Sequence, residues 1–461
     1  MPSKASLVIV GGGCSGLLVA VQLLRRKFRG TLVIVEPRRS LGRGLAYSTS
    51  FDEHLLNVPA GKMSALPDEP SHFLDWLHMR GLAEATQGHF APRKLYGEYL
   101  EELLQNARAG CAQTAEFRHI ASEAIAVRLP GGVERGVAKV ELHTGESIEA
   151  EKVVLTVGNP ASSSALDVQI TKLDQLFYPS PWLGDALRLS GSGNRALLIG
   201  SGLTAIDAAL TLLNQQADAR VYLVSRRGLL PQVHAVCLPA SASSTTLLNG
   251  SIRSIVKELR GQIRADQAAG FCWRTSIDAL RPVSNRIWSS LPLKDRQTFL
   301  RHLRPYWESY RHRMAPSIAS AIQGYRDRGR LTLTIGRVRQ LARAGDAIDV
   351  LVARSNGGGL QLTVDRVINC TGIQEDYNHS PRPLVHQLIN DGLACANELG
   401  VGFRTDARGA LIDADGAASD VLFTLGPPRR GELFETTAVP EIRVQAEALA
   451  GILLQAEMLD R

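Results

Sequence analysis

Short apolar runs, separated by glycine-rich turns and by longer helical segments, form the pattern of this chain. Residues 7–10 are an uninterrupted apolar run, and a glycine-rich turn over residues 11–16 follows it directly. Residues 17–24 have helical spacing, and a second apolar run over residues 32–35 ends at Glu36. Strand, glycine turn, helix, strand and acid, in this order, predict a βαβ unit of a parallel sheet.

The glycine turn has the spacing G-x-G-x-x-G, with Gly11, Gly13 and Gly16 at its fixed positions. The first glycine permits the tight turn, the second lets a pyrophosphate approach the backbone, and the third lets helix and strand pack together. Glu36 is placed to accept hydrogen bonds from ribose hydroxyls, while the helix N-terminus attracts phosphate. The unit therefore predicts a dinucleotide site, and a glycine-rich turn without a ligand is the alternative. The other contacts predicted for this unit are Cys14, Ser15 and Pro37.

A second unit of this kind follows the apolar run at residues 196–199. Gly200 and Gly202 begin a G-x-G-x-x-A turn, and the helix opens with Leu203 and Thr204. The position that corresponds to Glu36 is now a serine, and two arginines follow it: Ser225, Arg226 and Arg227. Replacing a carboxylate with guanidinium groups favours a ribose that carries a 2′-phosphate. The second unit therefore predicts NADPH, whereas the first predicts FAD or NAD; a solvated turn is the alternative for the two arginines.

Glycines at strand ends mark further predicted contacts. Two apolar strands end near Gly158 and Gly372, and they indicate the two crossings of a chain with two dinucleotide sites. Near the C-terminus a strand ends at Gly426, and Thr437 and Ala438 precede a long helix. A helix N-terminus at this place would stabilise negative charge on a reduced flavin.

Two loops of the first half complete the predicted site. Residues 42–47 include Arg43, Gly44 and Tyr47, and Arg43 is either a phosphate ligand or a solvated loop arginine. Residues 55–64 contain three residues that we expect near the cofactor, namely Asn57, Val58 and Met63.

Composition limits the functional classes. The net charge of +7 over 461 residues is a mild excess and does not indicate nucleic acid. Residues 250–330 are rich in arginine and aromatic residues at helical spacing, which favours a helical insertion over a surface for single-stranded nucleic acid.

The six cysteines have no C-x-x-C spacing, which argues against a structural zinc, any other metal site and a redox-active dithiol. No apolar run is long enough for a membrane span, and the first strand starts near Met1, so we expect a cytoplasmic protein, with a homo-oligomer as an open alternative to a monomer.

The arrangement resembles the flavoproteins with two dinucleotide-binding domains. Its motifs look like those of the FAD-NAD(P)-binding family of bacterial proteins related to YdhS, in residues 11–16, 42–47, 55–60, 90–99, 225–231 and 437–443. The resemblance implies an α/β fold with FAD in the first unit and NADPH in the second. It also implies a discontinuous FAD domain over residues 1–165 and 366–461, around an NADPH domain at 190–365 that holds the helical insertion at about 250–330.

A second likeness concerns the reaction. Asn57-x-Pro59, followed by Met63-Ser64 and Pro67-Asp68-x-Pro70, is similar to a loop of flavin-containing and N-hydroxylating monooxygenases. There the asparagine lies beside the flavin ring and helps to hold a C4a-hydroperoxyflavin, so the likeness implies a catalytic role for Asn57. The chain lacks the F-x-G-x-x-x-H stretch of those enzymes.

The leading hypothesis is therefore an FAD-dependent monooxygenase that uses NADPH and dioxygen to oxygenate nitrogen or sulfur of a small substrate. One alternative is an NADPH-dependent reductase that passes electrons to a quinone, a ferredoxin or another acceptor. The other alternative is a flavin-binding protein without enzymatic activity.

Overall fold

The computed structural model describes residues 3–459 except residues 112, 131–136, 160–167, 172–175, 190–193, 238–249, 355–356 and 373–375. The predicted end of the first FAD segment at residue 165 lies outside the described residues. Within the described part, the chain forms three β-sheets covered by helices.

Seventeen strands of the described residues form the three sheets. In chain order they are β1 Ser3–Val10, β2 Gly30–Val35, β3 Ala115–Ile120, β4 Ala124–Arg128, β5 Ala138–Leu142, β6 Ser147–Leu155, β7 Gln169–Thr171, β8 Phe177–Tyr178, β9 Arg195–Ile199, β10 Arg220–Ser225, β11 Leu331–Ile335, β12 Arg337–Ala344, β13 Ala347–Ala353, β14 Gly359–Val364, β15 Arg366–Asn369, β16 Ala410–Ile412 and β17 Ala418–Thr424.

Helices cover the sheets and connect them. The described α-helices are α1 Cys14–Arg25, α2 His72–Met79, α3 Arg93–Ala109, α4 Leu203–Gln215, α5 Ile252–Ala268, α6 Trp273–Ala279, α7 Ser284–Ser290, α8 Leu293–Thr298, α9 Arg304–Arg311, α10 Pro316–Asp327, α11 Pro383–Asn390 and α12 Val439–Leu459. The helical insertion predicted at about 250–330 is confirmed by α5 to α10.

The first sheet has eight strands in the order β16-β17-β6-β1-β2-β3, and β4 and β5 extend it from β6. Strand β1 pairs in parallel with both β2 and β6. Leu7 and Ile9 point into the core that contains α1 and α12, whereas Val8 and Val10 point into the core on the opposite face. A strand buried on both faces reads as a continuous apolar run, which explains why residues 7–10 do not alternate.

The second sheet is parallel throughout, in the order β11-β10-β9-β15-β8. A third sheet of β14, β13, β12 and β7 lies beside it. The predicted α/β class is therefore confirmed. Strand β15 pairs with β9, so the segment predicted as the second FAD part, 366–461, begins with a strand of the second sheet. The division into domains stays a prediction.

Strands β4, β5 and β6 form an antiparallel meander. Its third strand is continuous over residues 147–155. The strand pairs with β1 from residue 148 to residue 155, whereas only its first half pairs with β5. The same nine residues therefore belong both to the antiparallel meander and to the parallel part of the sheet.

Candidate functional site

The first glycine turn connects β1 to α1 under tight steric limits. Gly11 has a φ of +103°, and an added Cβ would lie 2.4 Å from the carbonyl oxygen of Thr156 at the end of β6. A Cβ at Gly16 would lie 2.0 Å from the carbonyl oxygen of Gly11. Helix α1 begins at Cys14 with Gly13 as its N-cap, and no side chain caps it. Its first N–H groups are therefore available to an anion.

Glu36 follows β2 and is fixed against the glycine turn. Its Oε2 accepts a hydrogen bond from the Gly12 N–H at 2.9 Å, and its Oε1 accepts one from the Arg38 N–H at 3.2 Å. The side chain of His119 contacts the Glu36 carbonyl at 2.9 Å. Because a carboxylate has about four lone-pair sites, Glu36 keeps capacity for ribose hydroxyls.

The second glycine turn repeats this construction between β9 and α4. Gly200 has a φ of +130°, and a Cβ there would lie 2.4 Å from the carbonyl oxygen of Cys370 at the end of β15. Ser225 occupies the place of Glu36, with its Oγ 2.9 Å from Ser201 Oγ and 3.0 Å from the Gly228 nitrogen. The serine thus preserves the link to the glycine turn without a negative charge. Among the other predicted contacts, Pro37 is exposed after β2, and the half-buried Leu203 and Thr204 begin α4.

Guanidinium groups gather beside Ser225. Burial and the neighbouring charges of Arg227 and Arg337 lower the pKa of Arg226. Within the described residues, none of these three arginines pairs with a carboxylate, and Arg227 lies 5.9 Å from the ring centroid of Tyr306. Like charges without counter-ions favour an anion. Arg337 was not predicted, although it follows the end of parallel strand β11 as Arg226 follows that of β10.

The middle glycines fit the pyrophosphate of a dinucleotide. A Cβ at Gly13 would meet its nearest atom, Gly44 Cα, at 3.6 Å, and a Cβ at Gly202 would meet no described atom within 4 Å. Their φ values of −71° and −78° are open to any residue. Neither backbone conformation nor packing therefore requires glycine at these positions, and the space beside both turns suits a closely approaching ligand.

The loop at residues 42–47 packs against the first turn. Gly44 has a φ of +50°, and a Cβ there would lie 3.3 Å from Gly13 Cα. The Arg43 side chain instead forms a fork with Glu101, with Nε and Nη2 2.7 Å and 2.8 Å from the carboxylate oxygens. Neither expectation for Arg43 describes it well, since its charge is used inside the protein and a phosphate would have to compete with Glu101.

Cys14, at the start of α1, and Tyr47, at the end of this loop, both pack against the apolar core. Burial raises the pKa of the Cys14 thiol to about 12, and burial also raises the pKa of Tyr47. The ring of Tyr47 lies 4.8 Å from that of Tyr96. Both predicted contacts are therefore uncharged at neutral pH.

The loop that carries Asn57 is held at both ends. The imidazole Nε2 of His234, after the second glycine unit, lies 3.0 Å from the Asn57 carbonyl oxygen. Arg443 of α12 donates to the Ser64 carbonyl at 2.7 Å. The half-buried side-chain amide of Asn57 has no hydrogen-bond partner among the described residues, so it is available to a ligand. Of the other predicted contacts in this loop, Val58 and Met63 are buried.

The predicted glycines at strand ends are Gly158, Gly372 and Gly426. Gly158 has a φ of +65° and Gly372 one of +104°, and a Cβ at either would meet no described atom within 4 Å. Gly426 contacts α1, because a Cβ there would lie 2.9 Å from Ser15 Oγ. Thr437 and Ala438 are half-buried and immediately precede α12.

The helical insertion packs against the segment that leads into α12. Arg281 forms a fork with Glu441 at 2.6 Å and 2.9 Å. Trp288 donates to the Gly431 carbonyl at 2.9 Å and stacks on Phe434 with 4.9 Å between ring centroids. The insertion thus covers the approach to the α12 N-terminus.

His54 connects the first half of the chain to α4. Its Nδ1 lies 2.7 Å from Thr49 Oγ1, and its Nε2 lies 2.8 Å from Thr211 Oγ1. Arg93 and Asp207 form a largely buried ion pair beside it at 2.7 Å. Burial, followed by the charge of Arg93, lowers the pKa of His54 to about 4.

This shift predicts a stability that depends on pH. An unfolded histidine has a pKa of about 6.5, so between this value and about 4 the unfolded chain binds a proton that the folded protein excludes. The contribution of His54 is complete above about pH 6.5 and falls by about 3 kcal/mol as the pH drops to 4. Urea unfolding of wild type and His54→Gln at pH 7 and 4.5 should show a smaller loss in the variant. The exposed His386→Gln should behave as wild type, and equal losses in all three proteins would contradict the assignment.

The described residues contain neither a metal-binding cluster nor a membrane-spanning helix. Side chains of His, Cys, Asp and Glu nowhere form a group of three that could hold a metal ion in the described part. Among the described helices, none combines the length and apolar character of a membrane span.

Parts of this chain are similar to known flavin- and nicotinamide-binding proteins. Residues 8–160 match the family model described as FAD-NAD(P)-binding. No curated protein sequence matches the chain. The structure of ornithine N-hydroxylase from Kutzneria sp. 744 has a TM-score of 0.67 at 16% identity, over 98% of this chain and 100% of that chain. For L-lysine 6-monooxygenase from Pseudomonas syringae the TM-score is 0.63 at 17% identity, over 98% and 99%.

A reductase shares the architecture less closely. Bacillithiol disulfide reductase from Staphylococcus aureus has a TM-score of 0.58 at 13% identity, over 99% of each chain. At such identities the likeness concerns the fold, and it extends over the full length of all three proteins. The predicted resemblance to flavoproteins with two dinucleotide-binding domains is therefore confirmed as a likeness of fold.

Proposed function

We propose that this chain is an FAD- and NADPH-dependent monooxygenase that oxygenates a small molecule at nitrogen or sulfur. One observation carries the proposal: the side chains beside two similar glycine turns have opposite charges. The first offers a carboxylate, Glu36, and the second offers three guanidinium groups without counter-ions. A carboxylate suits an unmodified ribose and the guanidinium groups suit a 2′-phosphate, so the chain distinguishes FAD from NADPH.

Named residues would hold FAD in the first unit. The N–H groups at the start of α1 would bind its pyrophosphate beside Gly13, and Glu36 would bind its ribose. Gly158, Gly426 and the start of α12 would surround the rest of the molecule. Bound FAD supplies the redox chemistry, in which electrons from NADPH activate dioxygen. The N-terminus of α12 would stabilise negative charge on the reduced flavin.

NADPH would bind along the second unit in the same manner. The start of α4 beside Gly202 would bind its pyrophosphate, and Arg226, Arg227 and Arg337 would bind its 2′-phosphate. His234 follows this unit and holds the backbone of Asn57. The two cofactor sites therefore meet at the loop of Asn57.

Asn57 would orient the reacting groups with its free amide. In the net reaction NADPH, a proton and dioxygen are consumed, one oxygen atom enters the substrate and the other leaves as water. Two structurally similar proteins are an ornithine N-hydroxylase, in a structure with reduced FAD, NADP+ and L-ornithine, and an L-lysine 6-monooxygenase. They support an amine as the substrate, and the helical insertion would exclude water from its binding site.

A coupled assay tests this function. Purified protein should oxidise NADPH under air in the presence of a library of small amines and thioethers, with one molecule of oxygenated product, a hydroxylamine or a sulfoxide, formed per NADPH. Without a substrate, the oxygen should appear as hydrogen peroxide. Turnover under argon with a quinone, without oxygenated product from any compound under air, would support a reductase instead, and absence of flavin reduction by NADPH would exclude both enzymes.

Removing the amide of Asn57 should uncouple the reaction. In Asn57→Ala, FAD binding and reduction by NADPH should remain, because neither glycine turn changes. The yield of product should fall by about 100-fold, the effect of losing one positioned hydrogen-bond donor at a reacting centre. Product and hydrogen peroxide are measured together against NADPH consumption. Asn159→Ala, a matched change after β6, should stay coupled; full coupling in Asn57→Ala would remove Asn57 from the reaction.

A further inference from the structure

An aromatic side chain of the helical insertion lies beside the arginines of the second unit. Tyr306 is in the first turn of α9, and its ring centroid lies 5.9 Å from Cζ of Arg227. The residue is 48% exposed, although its side chain is large and aromatic. Among the described residues, its hydroxyl group has no hydrogen-bond partner. The packing of the protein itself therefore gives little reason for a tyrosine at this position.

Hydrogen bonds fix α9 against the second glycine turn. Ser309, three residues after Tyr306, donates from its Oγ to the Leu230 carbonyl at 2.6 Å. The preceding residue, Leu229, accepts a hydrogen bond from Ser201 Oγ of the glycine turn, also at 2.6 Å. Two adjacent residues thus connect α9 to the turn that would bind the pyrophosphate of a coenzyme, so the Tyr306 ring has a defined place beside this turn.

Ion pairs hold α9 from its other side. Arg430 donates to Glu308 Oε1 at 3.2 Å, and the buried Arg311 and Glu435 pair at 3.3 Å. These contacts come from the segment that leads into α12, and none of them involves the side chain of Tyr306. The position of the helix therefore does not depend on the Tyr306 ring, which can be removed without displacing α9.

The covalent structure of NADPH places two of its groups side by side. Adenine is bonded to C1′ of the ribose, and the 2′-phosphate is carried by the adjacent carbon, C2′. A site that binds this phosphate through Arg226 and Arg227 therefore has the adenine next to it. Tyr306 lies beside Arg227, so its exposed ring is within reach of the purine. Aromatic side chains stack on purines, because every base has a flat π-face.

We propose that Tyr306 binds the adenine of the coenzyme by stacking, while Arg227 binds the neighbouring 2′-phosphate. This inference rests on the proposed function, because it requires a nicotinamide coenzyme in the second unit. The arginines distinguish NADPH from NADH, whereas the ring contacts the group that both coenzymes share. The helical insertion is then a part of the coenzyme site itself.

Removal of the ring tests this role without any need for turnover. The holoprotein and its Tyr306→Ala variant are titrated by calorimetry with NADPH, NADH and adenosine 2′,5′-bisphosphate, which contains no nicotinamide. We expect all three to bind about tenfold more weakly to the variant, as for the loss of one stacked base. Reduced nicotinamide mononucleotide lacks the adenosine, so its rate of flavin reduction should stay unchanged.

Two further variants are matched controls. Tyr306→Phe keeps the ring and should bind each ligand within about twofold of the wild type. Tyr325→Ala also removes a ring of the insertion that lies beside guanidinium groups, since Arg328 and Arg330 are each 5.0 Å from its centroid. Arg330 precedes β11, at the edge of the sheet opposite to the glycine turns, so this variant should bind all ligands as the wild type does.

The possible results separate the inference from the proposed function. Unchanged affinities in Tyr306→Ala would overturn the inference alone, as would weaker binding of NADPH without weaker binding of NADH. A slower reaction with reduced nicotinamide mononucleotide would mean that the substitution disturbs the structure, and it would also overturn the stacking role. If the wild type binds neither coenzyme nor adenosine 2′,5′-bisphosphate, the proposed function fails together with the inference. Flavin content and circular dichroism show that each variant folds.

Discussion

Gly13→Ala is expected to give a folded protein without flavin colour. Gly13 is a glycine of the turn at which the protein itself has room for a methyl group. Its φ of −71° is ordinary, and the nearest atom to an added Cβ would be Gly44 Cα at 3.6 Å. The methyl group would instead occupy the space in which the pyrophosphate approaches the start of α1. The substitution therefore separates cofactor binding from folding.

The effect on affinity should be large. Overpacking a close contact costs about 1–3 kcal/mol, and each 1.4 kcal/mol is a factor of ten in the dissociation constant. We therefore expect FAD to bind about 10- to 100-fold more weakly to Gly13→Ala. Flavin absorbance per protein and titration of the apoprotein with FAD give the values directly. The free energy of unfolding of the variant apoprotein should stay within about 0.5 kcal/mol of that of the wild-type apoprotein.

Two alanine substitutions serve as matched controls. Gly202→Ala places a methyl group beside the second turn, where no described atom lies within 4 Å, so the protein should keep FAD and lose affinity for NADPH. Gly261→Ala lies in α5, again with open space, and should change neither cofactor. If Gly13→Ala and Gly261→Ala bind FAD equally well, the first turn does not hold the pyrophosphate.

Much of this site could be predicted because its signals are local. The order of apolar run, glycine turn and helix is contained in residues 7–24, and sterics at Gly11 and Gly16 leave little freedom. Residues 196–215 contain the same order of apolar run, glycine turn and helix. A parallel strand pair then places the residue after the second strand at the edge of the turn, which is how Glu36 and Ser225 were predicted.

Contacts between distant segments could not be predicted in this way. Arg337 reaches Arg226 only because β11 pairs with β10 across the helical insertion. Arg43 carries a charge that suits phosphate, but Glu101 lies 58 positions later in the chain and binds it first. In each case the deciding partner is set by tertiary packing.

Arg226→Ala combined with Arg227→Ala should change the coenzyme preference. A hydrogen bond to a charged group contributes about 1.5–3 kcal/mol, so losing two should weaken NADPH by about 100-fold or more. NADH has no 2′-phosphate, and its dissociation constant should change by less than about threefold. Flavin reduction at a series of NADPH and NADH concentrations measures both constants in one experiment.

Graded variants show whether charge or geometry is responsible. Arg226→Lys with Arg227→Lys keeps two charges but loses the planar forks, so NADPH should weaken by about tenfold. Arg337→Ala should weaken NADPH in the same direction as the other arginine variants. Arg343→Ala removes an exposed arginine from the same strand and should have no effect. Among the described residues, its side chain donates only to the Gly345 carbonyl at 3.0 Å.

Salt gives a second criterion for the same prediction. Contacts between guanidinium groups and phosphate weaken as ionic strength rises, because mobile ions screen exposed charges over about 10 Å at 0.1 M. NADPH binding to the wild type should therefore depend on salt more steeply than NADH binding, and the double alanine variant should lose this difference. If both coenzymes weaken equally in that variant and keep their salt dependence, the guanidinium groups do not bind the 2′-phosphate. The opposite chemistry of the two glycine turns would then need another explanation.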